Sequence, residues 1–248
     1  MKPVILIPTY NERESIGTLL QQLADVRQRW GFEVLIIDDG SPDGTVELIR
    51  NLGFTWVDIL QRSVKEGLGP AYRAGFKHLL HTRPDITHFM TMDADGSHRV
   101  NDVDAMFSAI KAGKSIVLGT RWMPGGSVVN WPIYRQLLSR AGTTYARITL
   151  RMKLRDLTGG FRIYSRELLE SLKLDEMKAS GYCYQIEMAL AARAAGAATS
   201  EVPIIFVERE NGVSKMSQAI VIEALWQTTL WGFSSLLRPN ADKLHYVK

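Results

Sequence analysis

This sequence has almost no cysteine, since Cys183 is the single one. One thiol cannot form an intrachain disulfide, so no disulfide framework holds the fold and a reducing compartment is expected. Long apolar runs are also missing from the N-terminal part, where the longest uninterrupted ones are residues 4–7 and 34–37. Both are far shorter than a secretory signal or a membrane span. These absences favour a cytoplasmic protein.

The sequence also has no large excess of charge of one sign. The sequence has 30 Lys and Arg against 26 Asp and Glu, a formal net charge of +4. So small an excess does not by itself indicate nucleic acid, and no nucleic-acid partner is expected. The sequence contains no internal repeat or low-complexity tract, whereas 46% of its 248 residues are hydrophobic. That composition supplies a substantial core and excludes a disordered or fibrous chain.

Short apolar runs alternate with amphipathic segments over the first 120 residues. Several of the runs are apolar on both faces, which is typical of buried parallel strands. The segments between them carry apolar residues at helical spacing. This alternation predicts an α/β fold with a mostly parallel sheet covered by helices on both faces. The predicted strands are 4–8, 33–38, 55–60, 88–93, 115–119 and a late one near 201–208, and the predicted helices are 15–30, 71–80, 102–112, 135–150 and 182–195.

Three of the predicted strands end in polar sequences. Ligands of parallel sheets bind beyond the carboxyl ends of the strands, so these ends carry most of the functional information. They are PTYNE at 8–12, DDGSPD at 38–43 and DADGSH at 93–98.

Asp93 and Asp95 are the strongest candidates for a metal site. Their spacing at the end of a strand lets both carboxylates reach one hard cation. A solvated turn would explain the same pair in isolation. The same edge, however, is expected to receive Glu12, Asp38 and Asp39. Because so many like charges are costly together without a cation, the context favours a divalent ion with positions open for phosphate oxygens.

The second strand end has a local explanation in part. An Asx-type turn through Gly40 and Ser41, followed by a helix capped near Asp43, accounts for most of its residues. Asp39 is not explained by that turn. Its carboxylate can accept hydrogen bonds from the ribose hydroxyls or the base of a nucleotide.

These motifs, in this order, resemble family 2 glycosyltransferases, and among them the dolichol- or polyprenol-phosphate mannosyltransferases. The resemblance covers about residues 3–216. Besides the three strand ends it rests on KEGLGPAYRAG at 65–75, GTR at 119–121, GGSVVNWP at 125–132, SR at 139–140, DLTGGFR at 156–162 and ERENGVSK at 208–215.

The resemblance implies a GT-A glycosyltransferase fold, with a Rossmann-like and mostly parallel sheet. It implies a metal-dependent, inverting enzyme that transfers mannose from GDP-mannose to a membrane polyprenyl (dolichyl-type) phosphate and releases GDP. Mg²⁺ or Mn²⁺ is the implied cofactor, with Asp93 and Asp95 as ligands. Two alternatives stay open: another donor, such as UDP-glucose, on the same lipid, and a non-catalytic scaffold that binds sugar nucleotides.

The resemblance also implies roles for individual residues. The predicted catalytic set is Asp95 together with four basic residues that handle the diphosphate or the acceptor phosphate. Those four are Arg121, Arg135, Arg209 and Lys215. The predicted nucleotide-binding set is Pro8, Tyr10, Glu12, Ile37, Asp39, Ala94, Asp95, Arg209 and Lys215.

Some of these assignments stay open. In relatives a further metal ligand falls at the position of Ser97, a poor substitute for an amide or carboxylate, so His98 or water are alternatives. Arg140 competes with Arg135 for the acceptor phosphate.

Asp156 lies where relatives that need a general base would place one. A phosphate acceptor is already largely ionised near neutral pH, since its second pKa is about 6, and it needs cations rather than a base. We therefore expect Asp156 to orient the mannose or to hold Arg162.

A C-terminal segment is the candidate membrane contact. Residues 216–237 contain no Lys or Arg, and polar residues interrupt the apolar ones. This pattern favours a helix lying in the membrane interface over a spanning one, with packing on the core or on another subunit as the alternative. The expected organisation is a catalytic domain at 1–215, an amphipathic interfacial helix at 216–238 and a tail at 239–248. It would place the protein on the cytosolic face of a membrane, with a separate membrane-anchoring protein as a candidate partner. The apolar positions at helical spacing are Ile222, Trp226, Leu230, Phe233 and Leu237.

Overall fold

Alternating strands and helices make up most of the computed structural model, which describes residues 1–179, 181–208, 218–237 and 241–248. The strands are β1 (Pro3–Thr9), β2 (Glu33–Asp38), β3 (Val57–Gln61), β4 (His88–Thr91), β5 (Ile116–Thr120), β6 (Ser127–Val129), β7 (Arg162–Ser165), β8 (Thr199–Pro203) and β9 (Ile205–Val207). The helices are α1 (Arg13–Trp30), α2 (Thr45–Asn51), α3 (Leu68–Thr82), α4 (Val103–Lys111), α5 (Ile133–Thr149), α6 (Arg166–Ser171), α7 (Gly181–Ala194), α8 (Gln218–Leu237) and α9 (Ala241–Tyr246).

Seven strands form one sheet in the order β3-β2-β1-β4-β7-β5-β8. Six of them run in the same direction, and β7 is antiparallel to both of its neighbours. β6 and β9 pair in a separate parallel two-stranded sheet. The predicted mostly parallel sheet is confirmed.

The reversed strand β7 was not predicted, and it matters for the site. Because β7 runs against its neighbours, its first residue lies at the edge where the other strands end. The loop at residues 156–161 therefore reaches the same edge as the three polar strand ends. The sequence DLTGGFR thus meets the carboxylates of the β4 end through topology rather than through proximity in sequence.

The core has one hydrophobic layer on each face of the sheet. Successive residues of β1 point alternately into the two layers, as expected for a strand that is buried on both faces. Val4 and Leu6 belong to the layer under α3 and α7, and Ile5 and Ile7 to the layer under α1 and α4. The apolar positions predicted for α1 are all buried: Ile16, Leu19, Leu20, Leu23 and Val26.

Helix α8 contacts α5, α7 and α9 and leaves one apolar face exposed. Close contact with α5 occurs at Gly232, where an added Cβ would lie 2.9 Å from the Thr149 carbonyl oxygen. Among the described residues, no helix has both the length and the apolar character needed to cross a bilayer. Of the positions predicted for an interfacial face, Trp226, Leu230, Phe233 and Leu237 are exposed, and the side chain of Ile222 lies outside the described residues.

The segment expected to be a tail is described from residue 241 onward and contains α9. Tyr246 at the end of α9 is only 1% exposed. The Lys173 N–H donates to the Tyr246 carbonyl oxygen at 2.8 Å, and the Lys248 N–H donates to the Ser171 carbonyl oxygen at 2.9 Å. These contacts fasten the segment to the chain around α6.

Close packing of α3 on the sheet gives a stability prediction. A Cβ on Gly75 would lie 2.5 Å from Ile37 Cδ1 and 2.8 Å from Leu6 Cδ2. Gly75→Ala should therefore lower the free energy of unfolding by about 1–3 kcal/mol, because overpacking outweighs the better helix propensity of alanine. Urea denaturation measures this change.

The matched control is Gly142→Ala in α5, where nothing lies within 4 Å of an added Cβ. This substitution should raise the free energy of unfolding by up to about 1 kcal/mol. A Gly75→Ala protein as stable as Gly142→Ala would contradict the close packing of α3.

Candidate active site

The loops that follow β1 and β2 are fastened to each other at the carboxyl edge of the sheet. Three backbone N–H groups of the first loop donate to side-chain oxygens of the second. Because of this link, Tyr10 and Glu12 are held beside Asp39. The bonds run from Asn11, Glu12 and Arg13 to Ser41 Oγ, Thr45 Oγ1 and Asp43 Oδ2, over 3.0, 3.1 and 3.2 Å respectively.

Asp38 is fully buried and serves the local structure. Its Oδ1 accepts hydrogen bonds from the Gly40 and Ser41 N–H groups at 3.0 and 2.9 Å. Its Oδ2 accepts from the hydroxyls of Thr9 and Ser41 at 2.8 and 2.6 Å. The predicted Asx-type turn is confirmed.

Asp39 pairs with a neighbouring cation. Arg62 Nη1 donates to Asp39 Oδ1 at 2.7 Å. Burial raises the pKa of the Asp39 carboxyl above its ordinary value of 3.8, although Arg62 acts in the opposite direction. Close by in sequence, Lys65 Nζ lies 3.8 Å from the centre of the Tyr10 ring. The crevice predicted to hold a nucleotide therefore contains two basic side chains that the sequence did not single out.

The other residues predicted around the nucleotide lie on the adjoining strand ends. Pro8 and Ile37 are direct neighbours in the register of β1 and β2. Ile37 is fully buried, and Ala94 is 3% exposed. Glu12 precedes α1 and accepts a hydrogen bond from Ser15 Oγ at 3.1 Å. Their contact with a nucleotide stays a prediction.

Asp93 and Asp95 follow β4, and both are partly exposed. The Asp93 N–H donates to His98 Nδ1 at 3.0 Å, and the Ser97 N–H donates to Asp95 Oδ1 at 3.1 Å. These bonds fold the segment into a tight loop. Asp93 Oδ1 also lies 3.8 Å from the position that a Cβ on Gly160 would take, so the carboxylate faces the loop before β7.

His98 is a structural residue of this loop. It is 2% exposed, and its ring stacks on Phe161 with centroids 4.9 Å apart. Since Nδ1 accepts from the Asp93 amide, the neutral ring carries its proton on Nε2 and has no second lone pair to offer. His98 is therefore not a metal ligand in this arrangement.

The oxygen atoms at the end of β4 fit a hard divalent cation. The Ser97 hydroxyl, two residues after Asp95, is buried and has no hydrogen-bond partner among the described residues. Carboxylate and hydroxyl oxygens suit Mg²⁺ or Mn²⁺. Within the described part of the chain, no group of three His, Cys, Asp or Glu side chains is placed to hold a metal. Asp93 and Asp95 would thus leave coordination positions for a ligand's oxygens.

Gln185 is a site residue that sequence reasoning missed. It is 2% exposed, and neither atom of its amide has a hydrogen-bond partner among the described residues. Its Nε2 lies 3.3 Å from the position of a Cβ on Gly160, the same position that Asp93 Oδ1 approaches. A signal existed in the sequence, because Gln185 and Glu187 are the polar residues in the otherwise apolar run at 183–192. The structure thus places an unsatisfied amide beside the carboxylates.

Asp156 holds Arg121, and the expectation that it would hold Arg162 is wrong. Arg121 Nε and Nη2 donate to the two carboxylate oxygens of Asp156 at 2.7 and 2.9 Å. Both side chains are at least 95% buried. Burial acts to raise the pKa of Asp156, but the Arg121 guanidinium and hydrogen bonds from Arg121 and Thr158 hold that pKa below its ordinary value of 3.8.

Arg162 instead serves the backbone. Its guanidinium donates to the carbonyl oxygens of Gly159, Gln185 and Leu157 at 2.8, 2.6 and 2.8 Å. Arg162 is completely buried, so these bonds fix the loop before β7 against α7. The sequence could not separate the two arginines, because each choice of partner depends on the antiparallel course of β7.

Three guanidinium groups and two indoles lie next to one another beside the site, and we call this set the Arg–Trp cluster. Arg135 lies 4.1 Å from the Trp131 ring centre, and Arg140 lies 4.7 Å from that of Trp122. Arg121 lies 5.5 Å from both indoles. Arg135 and Arg140, the two candidates for the acceptor phosphate, therefore contact different indoles.

Phe206 in β9 connects the carboxylate loop to the Arg–Trp cluster. Its ring centre is 5.4 Å from that of His98 and 5.4 Å from that of Trp131. The Arg121 guanidinium lies 5.4 Å from the same ring. Anionic and cationic groups are thus held close to each other at one edge of the sheet by a single aromatic side chain.

Of the predicted basic residues Arg135, Arg209 and Lys215, the described part of the chain includes Arg135. Arg135 forms an ion pair with Glu208, the last described residue before that segment. Arg209 and Lys215 lie outside the described residues. Their contact with the diphosphate or the acceptor stays a prediction.

The sequence matches one protein family and several named proteins over most of its length. The model of a family described as "Glycosyl transferase family 2" matches residues 4–173. The polyprenol monophosphomannose synthase of Mycolicibacterium smegmatis is 39% identical over 239 residues, which cover 95% of this chain and 89% of that protein. The undecaprenyl-phosphate mannosyltransferase of Micrococcus luteus is 41% identical over 237 residues, covering 95% and 96%. The dolichol-phosphate mannosyltransferase of Pyrococcus furiosus is 33% identical over 229 residues, covering 91% and 62%.

Solved structures share the fold at much lower identity. Mannosyl-3-phosphoglycerate synthase from Rubrobacter xylanophilus matches with a TM-score of 0.66 and 17% identity, over 96% of this chain and 74% of that one. Glucosyl-3-phosphoglycerate synthase from Mycobacterium tuberculosis, in complex with Mn²⁺, UDP-glucose and phosphoglyceric acid, matches with a TM-score of 0.66 and 15% identity, over 94% and 79%. The predicted GT-A-like architecture is confirmed.

The buried Arg121–Asp156 pair gives a prediction with a defined pH dependence. Asp156→Asn should lower the free energy of unfolding by about 3–5 kcal/mol at pH 7, because it leaves the buried guanidinium without its countercharge. Since the folded pKa of Asp156 is depressed, the contribution of the pair is complete above pH 3.8 and is lost as the pH falls through the lower folded value. Denaturant unfolding at pH 7 and below pH 3.8 measures it.

The control for this prediction is Asp58→Asn, which removes an exposed carboxylate of β3. Its effect should stay within about 0.5 kcal/mol. A stability gap between wild type and Asp156→Asn that widens below pH 3.8 would contradict the assignment.

Proposed function

The chain belongs to glycosyl transferase family 2, and on that premise we propose that it transfers mannose from GDP-mannose to a membrane polyprenyl phosphate, with inversion at the anomeric carbon. The observation that carries the proposal is that Phe206 contacts both the loop that bears Asp93 and Asp95 and the Arg–Trp cluster. The two carboxylates suit a cation-bound diphosphate, and the Arg–Trp cluster suits an anionic acceptor. The names of the Mycolicibacterium and Micrococcus relatives support the choice of sugar and of lipid.

Departure of the nucleotide is the first task of the site. Asp93 and Asp95 would hold Mg²⁺ or Mn²⁺, which in this position neutralises negative charge on the leaving diphosphate. Asp39 is available to the ribose or the base, with its charge balanced by Arg62. Tyr10 and Lys65 close the same crevice. The solved relative with bound Mn²⁺ and UDP-glucose supports a metal at such a site.

The acceptor needs orientation rather than deprotonation. A phosphate monoester is already largely ionised near neutral pH, so no general base is required. Arg135 is the described cation best placed for this role, because its partner Glu208 is 25% exposed and adjoins the segment that carries Arg209 and Lys215. We assign Arg135 to the acceptor phosphate, which would replace Glu208 as its partner. Arg121 is a positioning residue, since its Nε and Nη2 already donate to the carboxylate of Asp156.

Recognition of the transferred sugar falls to Gln185. An amide offers two donors and an acceptor with two lone pairs, and all of them lack partners among the described residues. Sugar hydroxyls are the natural complement to such a group. The position of Gln185, close to Asp93 and across Gly160, supports this role, because the sugar is attached at the diphosphate end of the donor.

Access to a lipid substrate requires contact with a membrane surface. In the proposal, residues 1–215 are catalytic and the helix at 216–238 lies on the cytosolic face of the membrane. The exposed apolar residues of α8 support this orientation, since they would otherwise remain in water.

Transfer of radiolabelled sugar into organic-extractable lipid tests the function. GDP-mannose with a polyprenyl phosphate should give labelled lipid, and a chelator should prevent it until Mg²⁺ or Mn²⁺ is restored. Asp95→Asn should reduce turnover by at least about 100-fold, because it weakens the metal's hold on the leaving group. Far-ultraviolet circular dichroism and unfolding curves establish that the variant is folded.

Asp58→Asn, the exposed carboxylate of β3, is the matched control and should keep full turnover. Labelled lipid from UDP-glucose but not from GDP-mannose would replace the proposed donor. Full activity of Asp95→Asn in the presence of a chelator would overturn the proposed metal chemistry.

Gln185 gives a prediction in which stability and activity change in opposite directions. Gln185→Met removes two unpaired polar atoms from a buried position while keeping a similar volume. The free energy of unfolding without substrate should rise by about 1–2 kcal/mol, and turnover of GDP-mannose should fall at least about 10-fold. Denaturant unfolding and donor-dependence kinetics measure the two effects.

Gln21→Met in α1, at an exposed position, is the control and should change neither quantity appreciably. A Gln185→Met enzyme that is stabilised and fully active would show that the amide does not bind the sugar.

A further inference from the structure

The hydrogen-bonded ladder between β1 and β4 stops where the carboxylate loop begins. The Met92 N–H donates to the Leu6 carbonyl oxygen at 3.1 Å, one residue past the last paired residue of β4. In a parallel ladder the next bond would run from the N–H of residue 8 to the Met92 carbonyl oxygen. Residue 8 is a proline and has no N–H to donate. The Met92 carbonyl is therefore left without its ladder partner.

The hydroxyl of Tyr72 supplies the missing donor. Tyr72 belongs to α3, is completely buried, and donates to the Met92 carbonyl oxygen at 3.3 Å. Because a buried carbonyl group without a donor is costly, this hydrogen bond stabilises the point at which the chain leaves the sheet.

This hydrogen bond acts on a peptide group that is held at its other end as well. The carbonyl of Met92 and the N–H of Asp93 belong to one planar unit. The N–H donates to His98 Nδ1 at 3.0 Å, and the carbonyl accepts from Tyr72. Two side chains thus fix the orientation of the plane. Since the Asp93 side chain branches from the next backbone atom, that orientation sets the direction of a proposed metal ligand.

Neighbouring rings hold the Tyr72 phenol in place. It stacks on Phe76 and on Tyr184, with ring centroids 6.2 and 6.1 Å apart. Burial raises the pKa of Tyr72 well above its ordinary value of 10, and the charge of Asp93 adds to the rise, so the hydroxyl stays protonated and donates. The Tyr184 hydroxyl is also buried but has no hydrogen-bond partner among the described residues. Tyr72, unlike Tyr184, is thus bonded to the segment that carries the carboxylates.

We propose that Tyr72 is a positioning residue of the metal site: its hydroxyl replaces the ladder bond that Pro8 cannot make, and so directs the Asp93 carboxylate toward the cation. This role rests on the proposed metal chemistry of Asp93 and Asp95. Tyr72 would act through the peptide group rather than by contact with metal or substrate. A hydroxyl that served stability alone would change the free energy of unfolding but not the affinity for a metal.

Titration of the full chain with Mn²⁺ alone, followed by electron paramagnetic resonance, measures the effect. Tyr72→Phe removes the hydroxyl and keeps the ring. It should weaken Mn²⁺ binding about tenfold, as does the loss of other groups that orient a metal ligand. Tyr184→Phe is the matched control, because it removes a hydroxyl from the same stack, and it should leave the affinity unchanged. Circular dichroism and urea unfolding establish that both variants are folded.

Pro8→Ala provides a second test, since it restores an N–H where the ladder stops. In the Tyr72→Phe background it should recover most of the lost Mn²⁺ affinity, because the Met92 carbonyl regains a donor. A double variant that binds Mn²⁺ no better than Tyr72→Phe would overturn the replacement of one bond by the other.

Asp95→Asn in the same titration separates this role from the proposed function. If Mn²⁺ binding is lost in Asp95→Asn but is as strong in Tyr72→Phe as in Tyr184→Phe, the metal site stands and the positioning role is overturned. If Asp95→Asn binds Mn²⁺ like the wild type, the proposed metal site itself fails, and the role of Tyr72 fails with it.

Discussion

The buried ion pair between Arg121 and Asp156 is the interaction on which the geometry of the site depends. It joins the end of β5 to the loop before β7, and both indoles of the Arg–Trp cluster lie beside its guanidinium. A pair of charges buried this deeply is stable only when both partners are present and well hydrogen-bonded. It thereby fixes the loop at residues 156–161 to the end of β5, in addition to the pairing of β7 with β4 and β5.

An aromatic ring contacts both the carboxylate loop after β4 and the Arg–Trp cluster. Phe206 lies between His98, which belongs to the carboxylate loop, and the guanidinium of Arg121. Since the same ring also packs on Trp131, it holds the two groups of residues together at one edge of the sheet.

Periodicity and strand-end chemistry predicted much of this molecule, because those signals are local. The apolar positions of α1 and the Asx turn at Asp38 follow from neighbouring residues alone. The partner of Asp156 and the position of Gln185 do not, since both depend on β7 running antiparallel between β4 and β5. A four-residue strand with no apolar alternation gives no reliable signal of its direction. The pairing of β7 with β4 and β5 therefore decides both features, and local sequence patterns do not reveal it.

The absence of a side chain at Gly232 has a consequence for how the chain could evolve. Because the backbone of α8 approaches that of α5 so closely at Thr149, even a methyl group there would act as a wedge. It would tilt the exposed apolar rows of the two helices relative to each other, far from any reacting atom. In the proposed membrane-bound orientation, substitutions at this crossing would change the tilt of the molecule on the lipid surface without altering its chemistry.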